Sequence, residues 1–263
     1  MRLLTGTLLA AAVLFTVNGT AVADDVSAQI IGGTTASTKD YPFAVFLVRP
    51  GVKTNFCGGS VIAPNKILTA AHCADDDEGN PTPPADINVV AGRDDERTNA
   101  GVLAKVTKVA LHPKWDGFAN DFAVLTLDRK LSFQAIPLAT TKDSGLHAVG
   151  KRLTVLGWGR TVNDNPDSPL LMKTTVPVQP DRPCRDYYGK DTGGVDLYDA
   201  KVMICAGDNT GKHDSCRGDS GGPFIAGGKL VGVVSFGPEK CATPNVPAVY
   251  AKVSAARAWI RTQ

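Results

Sequence analysis

The chain contains the stretch DSCRGDSGGP at residues 214–223. It places Ser220 in a glycine-rich turn, with Asp219 directly before it and Asp214 a few residues upstream. Glycine, serine and aspartate are common in surface turns, so the stretch alone is also compatible with an ordinary loop. A serine becomes a nucleophile when a neighbouring base takes its proton and a third group orients that base. A catalytic Ser220 therefore requires a histidine and a further carboxylate elsewhere in the chain.

The chain has four histidines, and His72 has the context expected of a catalytic base. It lies in TAAHC, residues 69–73, directly after an apolar run, where the end of a strand can hold a side chain in place. Asp121 begins the apolar segment DFAVL and would lie at the mouth of a strand. We take His72, Asp121 and Ser220 as the candidate catalytic triad. The other histidines have contexts typical of turns or of the surface: His112, His147 and His213.

Six segments together resemble the secreted trypsin-like serine endopeptidases of the chymotrypsin family, of the bacterial trypsin-like type. In chain order they are IIGG at 30–33, TAAHC at 69–73, DFAVL at 121–125, GWG at 157–159, GDSGGP at 218–223 and VSFG at 234–237. They follow the order of the family and cover nearly the whole chain from residue 30. The resemblance implies an all-β fold of two six-stranded antiparallel Greek-key barrels, with the active site in the cleft between them and a short C-terminal helix.

The hydrophobic pattern also predicts an all-β chain. With 263 residues, of which 43% are hydrophobic, the chain can form one large β domain or two small barrels. Gly, Pro, Asn and Asp clusters separate short apolar segments that are typical of strands. These segments are 43–48, 59–62, 66–69, 87–90, 103–111, 122–127, 152–158, 171–178, 229–236 and 248–253. Only the tail is predicted as a helix, with Ser254 as its N-cap and Trp259 on its packing face.

The N-terminal residues are predicted to be targeting and processing segments. An apolar run follows Arg2, and Ala21-Val22-Ala23 provides a cleavage site of small residues. The run is short for a membrane span, although an uncleaved anchor is the alternative. We expect a signal peptide at 1–23 and a propeptide at 24–29. The protein would then be secreted to the extracellular space, without membrane association after processing.

The remainder, 30–263, is expected to be the protease domain. The first barrel would span about 30–140 and the second about 141–253, with the C-terminal helix at 254–262. His72 and Asp121 would come from the first barrel and Ser220 from the second.

Composition excludes some functions and leaves the disulfide connectivity open. The formal net charge is +2, without basic blocks interleaved with aromatic residues, which argues against nucleic-acid binding. Six cysteines fit an exported protein, but their spacing does not select one connectivity. The resemblance implies three disulfides: Cys57 with Cys73, Cys184 with Cys205, and Cys216 with Cys241.

The resemblance implies a role for each candidate active-site residue. Ser220 would attack the scissile carbonyl, His72 would carry the proton and Asp121 would orient His72. The backbone N–H groups of Gly218 and Ser220 would bind the developing oxyanion. Ser235 and Gly237 would pair with the substrate backbone as an added strand, and an ordinary strand end is the alternative for them.

Substrate specificity is expected to depend on Asp214. By resemblance it lies at the base of the primary pocket, where it would pair with Arg or Lys before the cut; a solvated loop aspartate is the alternative. Gly237 would leave one wall open. Ala248 stands where relatives of this type usually have glycine, and its methyl group would narrow the pocket. An altered primary specificity is therefore the alternative within the protease assignment.

Asp219 is expected to act in activation. By resemblance it pairs with the ammonium group of a newly cut N-terminus, here Ile30, because a buried carboxylate needs a partner. Gln29 is neither Lys nor Arg, so a trypsin-like enzyme would not readily cut before Ile30. A separate activating protease is implied.

No cofactor or metal site is expected, since the chain has neither a C-x2-C pair nor an H-E-x-x-H motif. The acidic runs 75–78 and 94–96 leave a structural calcium ion open, although Arg93 occupies a place where an acidic ligand would be expected. Expected partners are protein or peptide substrates, protein inhibitors and the activating protease, with the enzyme itself a monomer.

Two other classes of function are weaker. A catalytically silent homologue that binds a partner would be expected to lack a triad residue. A serine esterase with a G-x-S-x-G elbow is contradicted by the triad order His, Asp, Ser and by the strand pattern.

Overall fold

The computed structural model describes residues 30–76, 78–161, 168–189, 194 and 196–263. The expected signal peptide and propeptide lie outside these residues. Thirteen strands are present in the described part: β1 Thr34–Thr35, β2 Ala44–Val48, β3 Cys57–Ala63, β4 Lys66–Thr69, β5 Asn88–Ala91, β6 Val102–Leu111, β7 Ala123–Leu127, β8 Arg152–Gly157, β9 Met172–Pro177, β10 Met203–Ala206, β11 Pro223–Ala226, β12 Lys229–Phe236 and β13 Ala248–Lys252.

The first half of the chain forms a closed antiparallel barrel in the order β2-β3-β4-β7-β6-β5. Val, Ile and Leu side chains of these strands fill its interior, and β2 is buried along its whole length. Such apolar strands need a closed or covered sheet, because an open edge would leave backbone groups unpaired. The barrel therefore provides a rigid base for the segments at its strand ends.

The second half forms a seven-stranded antiparallel sheet in the order β1-β9-β8-β11-β12-β13-β10. It differs from the expected six-stranded barrel by the short edge strand β1, which pairs with β9. Val178, which follows β9, forms an isolated bridge with Ala206, the last residue of β10. This bridge brings the two sides of the sheet toward each other. The predicted fold class, all-β with a C-terminal helix, is confirmed.

The chain passes from the barrel to the second sheet near Ile136 and Ala139. Ile136 donates its N–H to Val61 in β3, and Ala139 donates its N–H to Leu230 in β12. A short 3-10 helix, Thr141–His147, follows.

Two sequence predictions about helices were wrong. The tail was not the only helix, because α1, Asp181–Tyr188, is also present. It is a short, mostly polar segment in which Cys184 is the one buried residue, so its sequence resembles a loop. The C-terminal helix α2 spans Val253–Ile260, and its N-cap is Lys252 rather than Ser254. The helix starts directly at the end of β13, which places Ser254 inside its first turn.

Three strands were missed from the sequence, namely β1, β10 and β11. They have two, four and four residues. β11 begins with Pro223 after two glycines, a composition that resembles a turn, although proline is tolerated at the first position of a strand.

All six cysteines form disulfides in the pairs that the resemblance implies: Cys57–Cys73, Cys184–Cys205 and Cys216–Cys241. In the described part of the chain, no helix has the length and apolar character needed to cross a membrane.

Candidate active site

His72 and Asp121 are joined at the edge of the first barrel. His72 lies in the 3-10 helix Ala71–Cys73, which follows β4 and is tied to β3 by the Cys57–Cys73 disulfide. Asp121 lies two residues before the start of β7 and is 1% exposed. Its Oδ2 lies 2.7 Å from Nδ1 of His72, and its Oδ1 accepts the backbone N–H of His72 at 3.0 Å. Since a carboxylate accepts, Nδ1 carries the ring proton and Nε2 is left for a second partner.

The environment of His72 raises its pKa above the usual value of 6.5. Burial of the ring acts to lower the pKa, but the charge of Asp121 and its hydrogen bond outweigh this effect, with a smaller contribution from Asp75. The side chain is still 34% exposed, so one side of the ring is open to a ligand. A base held in one tautomer and open at one nitrogen is suited to proton transfer.

Ser220 lies in a loop of the second sheet that packs against the start of β3 and the end of β4. Its carbonyl oxygen accepts the N–H of Gly58 at 2.7 Å. Gly221 has φ +77°, and a Cβ there would collide with Thr69 Oγ1 and Gly58 O. Only glycine fits such a close approach of two backbones. The contact brings the Ser220 loop to the strand end that carries His72.

The backbone around Ser220 leaves two N–H groups available. Gly218 has φ +92°. The peptide groups beside it are held by Arg160 N–H to Arg217 O at 2.8 Å and by Asp219 N–H to Cys216 O at 3.0 Å. Among the described residues, the N–H groups of Gly218 and Ser220 have no acceptor. Such N–H groups beside a serine can stabilise an oxyanion.

Asp219 is fully buried behind this loop. Its Oδ1 accepts the N–H of Gly159 and its Oδ2 the N–H of Cys216, both at 2.9 Å. A Cβ on Gly157 or Gly159 would collide with the Asp219 side chain. The GWG segment therefore makes room for this carboxylate.

Ile30 is also fully buried. The next residue, Ile31, accepts the N–H of Asp214 at 3.2 Å. Gly32 has φ +67° and lies against Lys212 O and His213 Nδ1. The segment after Ile30 thus packs directly on the loop that leads to Asp214.

A pocket of about 200 Å³ adjoins Ser220. Its lining comes from the Ser220 loop, from the end of β12 and from the start of β13. The lining residues are Asp214, Ser215, Cys216, Arg217, Ser220, Val234, Ser235, Phe236, Gly237, Pro238, Glu239, Cys241 and Ala248.

Asp214 supplies a buried carboxylate to this pocket and is 3% exposed. Its Oδ2 accepts the N–H of Ala242 at 2.7 Å. Its Oδ1 is buried without a hydrogen-bond partner among the described residues. Burial raises the pKa of Asp214 to about 7, with a smaller contribution from the charge of Asp208. A carboxylate oxygen in this state gains from a cationic ligand.

Gly237 and Ala248 form facing walls of the pocket. A Cβ on Gly237 would lie 3.6 Å from Cβ of Ala248, which is van der Waals contact. Any larger side chain at residue 237 would close this passage. Ser235 lies at a register irregularity between β12 and β13 and is 5% exposed. It also lines this pocket.

Two tyrosines that were not predicted from the sequence support the pocket. Tyr188 donates its hydroxyl to Pro247 O at 2.7 Å and packs edge-on against Phe236. Tyr250 OH lies 3.1 Å from Ser215 Oγ. Tyr188 belongs to the unpredicted helix α1, and Tyr250 resembles any apolar residue of a strand, so neither had a local signal.

In the acidic run at 94–96, the carboxylates accept hydrogen bonds from protein donors. Asp94 accepts from Ser37 and Thr38, and Asp95 pairs with Arg97 at 2.7 Å. Arg93 is buried and donates to Ala100 O at 2.7 Å.

In the other acidic run, Asp75 accepts from Trp115, and Asp76 accepts from Asn80. Asp77 lies outside the described residues. The one cluster of metal-ligand side chains in the described ranges is Cys57, His72 and Cys73, in which the two cysteines form a disulfide.

Comparison with known proteins agrees with this arrangement. A family model described as Trypsin matches residues 30–260. A trypsin from Saccharopolyspora erythraea is 43% identical over 228 residues, covering 86% of this chain and 94% of the relative. Trypsin 5G1 from Aedes aegypti is 36% identical over 239 residues, covering 89% of this chain and 85% of the relative.

Among solved structures, neuropsin, a serine protease expressed in the limbic system of mouse brain, has the same fold. The TM-score is 0.73 at 24% identity, over 88% of this chain and 97% of that one. A family model that matches nearly the whole described chain, together with curated relatives of full length, establishes the family. The chain belongs to the trypsin family and is a trypsin-like serine endopeptidase.

Proposed function

We propose that this endopeptidase cleaves peptide bonds after Arg or Lys. The observation that carries the proposal is the buried, unpartnered Oδ1 of Asp214 in the pocket beside Ser220. A long cationic side chain would place its stem against the pocket walls and its charge on this oxygen. A cation there stabilises the ionised carboxyl group and so offsets the cost of its burial.

In the proposed mechanism, Ser220 Oγ attacks the scissile carbonyl carbon while His72 Nε2 takes the hydroxyl proton. Asp121 keeps the proton on Nδ1 and stabilises the imidazolium ion. His72 then gives its proton to the leaving amine. Water next attacks the acyl carbonyl carbon while His72 takes its proton, and His72 returns that proton to Ser220 Oγ as the acid product leaves. The 2.7 Å contact between His72 and Asp121 supports these roles.

The tetrahedral intermediate would bind its oxyanion at the N–H groups of Gly218 and Ser220. The absence of acceptors for these groups among the described residues supports this assignment. Removal of one such donor typically costs about 2.7 to 4 kcal/mol of transition-state stabilisation. The substrate backbone would pair with Ser235 and Gly237. The pairing of β12 with β11 extends only to Val233, so the backbone after that residue has a free edge on this side.

We further propose that cleavage between Gln29 and Ile30 activates the enzyme. The new ammonium group at Ile30 would pair with the buried carboxylate of Asp219, because an opposite charge offsets the cost of burying that group. Burial of both residues, and the packing of the IIGG segment on the Asp214 loop, support this coupling. Because Gln29 does not suit an Arg- or Lys-specific enzyme, another protease would perform the cut.

Ala248 supports a second version of the function, in which primary specificity is altered. Its Cβ narrows the passage opposite Gly237. One misplaced methyl group in a pocket changes discrimination by about 1 to 3 kcal/mol. We propose that Ala248 shifts the balance between Arg and Lys.

The proposed setting is extracellular, with 1–23 removed as a signal peptide and 24–29 as a propeptide. The mature domain would be 30–263, divided at about residue 140. The enzyme would act as a monomer, without a cofactor, on protein or peptide substrates and would be open to protein inhibitors.

The test is kcat/KM of the protein matured to Ile30 on matched peptide amides that end in Arg, Lys, Phe or Ala. Ser220→Ala serves as the blank. We expect cleavage after Arg and Lys alone, and none in the blank. Cleavage after Phe or Ala would overturn the specificity, and equal activity of the blank would overturn the role of Ser220.

A further inference from the structure

Asn55 extends from the first barrel to the loop that carries Ser220. It lies just before β3 and is 5% exposed. Its side-chain Nδ2 donates to the carbonyl oxygen of Gly218 at 2.9 Å. Gly218 is also the residue whose N–H points into the proposed oxyanion site. One hydrogen bond therefore connects the two halves of the molecule at that site.

Asn55 is held from behind by a buried charged loop. Its backbone N–H donates to Oε1 of Glu96 at 2.7 Å. Glu96 is 4% exposed and interacts with the buried guanidinium group of Arg93. The position of Asn55 is thus determined by residues outside the cleft.

The orientation of the Gly218 carbonyl group affects the directions of the two N–H groups that would bind the oxyanion. Gly218 has φ +92°, in a region of backbone space where glycine has wide freedom. A change in ψ of Gly218 would turn this carbonyl group and would also change the direction of the Ser220 N–H relative to the Gly218 N–H, and with it the spacing of the two donors. The hydrogen bond from Asn55 opposes this rotation.

The unpaired side-chain oxygen of Asn55 indicates that this residue serves function rather than stability. Its Oδ1 is buried without a hydrogen-bond partner among the described residues. A buried acceptor without a partner costs stability, and an apolar residue in its place would avoid that cost. The donor group of Asn55 accounts for its presence.

We propose that Asn55 is a positioning residue for the oxyanion-binding N–H groups of Gly218 and Ser220, and that Glu96 and Arg93 hold it in place. The inference rests on the proposed function, since it requires an oxyanion at these groups. Asn55 touches neither the substrate nor the reacting atoms. Its loss therefore weakens binding of the transition state while ground-state binding is retained.

The experiment compares Asn55→Ala and Asn55→Asp with a control, Asn99→Ala, at an exposed residue of the 93–101 loop. On an Arg amide, we expect Asn55→Ala to lower kcat about 3- to 10-fold, the effect of one neutral hydrogen bond, with KM unchanged. Asn55→Asp should be lower still, because a carboxylate repels the Gly218 carbonyl. The control should match the parent.

Two inhibitors separate positioning from a general structural effect. A peptide boronic acid ending in Arg forms a tetrahedral adduct at Ser220, whereas benzamidine occupies the pocket alone. We expect the Asn55 variants to lose affinity for the boronic acid by the same factor as kcat and to retain benzamidine affinity. Equal loss for both inhibitors, or parent-like kcat, would overturn the positioning role. If Asn55→Ala does not fold, the isosteric Asn55→Asp decides.

Failure of this inference is distinguishable from failure of the proposed function. If the parent cleaves Arg amides and forms the boronic acid adduct while the Asn55 variants behave like the parent, the inference alone fails. If the parent does neither, both fail.

Discussion

Ser235 donates its hydroxyl to Oδ2 of Asp121 at 2.6 Å. The same oxygen lies 2.7 Å from His72 Nδ1. Ser235 belongs to β12 of the second sheet, whereas Asp121 and His72 belong to the first barrel, so this hydrogen bond crosses the cleft. The second sheet thereby influences, through this hydrogen bond, the carboxylate that orients His72.

Replacement of Ser235 tests this influence. In Ser235→Ala, Oδ2 of Asp121 loses the Ser235 donor, so its hydrogen bond with protonated His72 strengthens and the pKa of His72 rises further. We expect kcat/KM on an Arg amide to fall about 3- to 10-fold near neutral pH, the effect of one hydrogen bond, and to recover in alkaline solution. The pH profile of kcat/KM measures this, with Ser254→Ala on helix α2 as the control. An acid limb that stays in place or moves to lower pH would contradict the prediction.

The pKa of Asp214 predicts a pH-dependent affinity for cationic ligands. The carboxyl group of the free enzyme has a pKa of about 7, and a cation binds its ionised form. We expect the affinity for benzamidine to fall as the pH falls below about 7, with uptake of a proton by the carboxyl group when the ligand dissociates. Titration calorimetry in buffers of different ionisation heat measures both effects.

His72→Ala is the control for this binding experiment, because it removes the active-site histidine, whose pKa is raised. It should preserve the pH dependence, whereas Asp214→Asn should weaken binding and abolish the dependence. If the pH dependence disappears in His72→Ala, His72 and not Asp214 is its cause, and the prediction is wrong.

Asp214 is also expected to lower stability in alkaline solution. Its pKa in the folded protein, about 7, is above the ordinary value of 3.8, so the stabilisation is present below about pH 4 and is lost as the pH rises to about 7. Asp214→Asn cannot ionise and keeps an acceptor for the Ala242 N–H. The comparison uses a Ser220→Ala background, which prevents autolysis. At pH 8 we expect Asp214→Asn to have the higher Tm, and its free energy of unfolding to be higher by up to about 4 kcal/mol.

The difference in Tm should shrink toward pH 4, where both side chains are neutral. Thermal unfolding at several pH values measures it, with Asp40→Asn, at an exposed carboxylate, as the control. A Tm difference that is constant with pH would show that ionisation of Asp214 is not the cause.

Ala248→Gly tests the narrowing of the pocket. The change removes the methyl group of Ala248, which lies 3.6 Å from the place that a Cβ on Gly237 would occupy. We expect kcat/KM to increase up to about 10-fold for one or both of the Arg and Lys substrates, and the Arg to Lys ratio to change. Paired peptide amides that differ only in this residue measure the ratio. Ala255→Gly on the exposed side of α2 is the control, and an unchanged ratio would remove Ala248 from the specificity determinants.

Much of the fold could be predicted because its signals are local. Alternating or continuous apolar runs bounded by turn residues marked most of the strands, including β2 and β7. α1 was missed because it is a short, mostly polar segment with Pro183 inside it, in which Cys184 is the one buried residue. β11 was missed because Pro223 and the glycines before it are typical of turns.

The sequence by itself determined residue types and their order: a serine between glycines, a histidine after a strand, and glycines at 157, 159 and 221 where a Cβ would collide with neighbours. Only the tertiary structure determined which groups meet. Asp121 and Ser235 are 114 residues apart, and Asn55 and Gly218 are 163 apart. The pKa of Asp214 likewise depends on burial, which arises only when distant strands exclude water from its carboxyl group. Contacts and solvation are properties of the packed chain, so local patterns do not contain them.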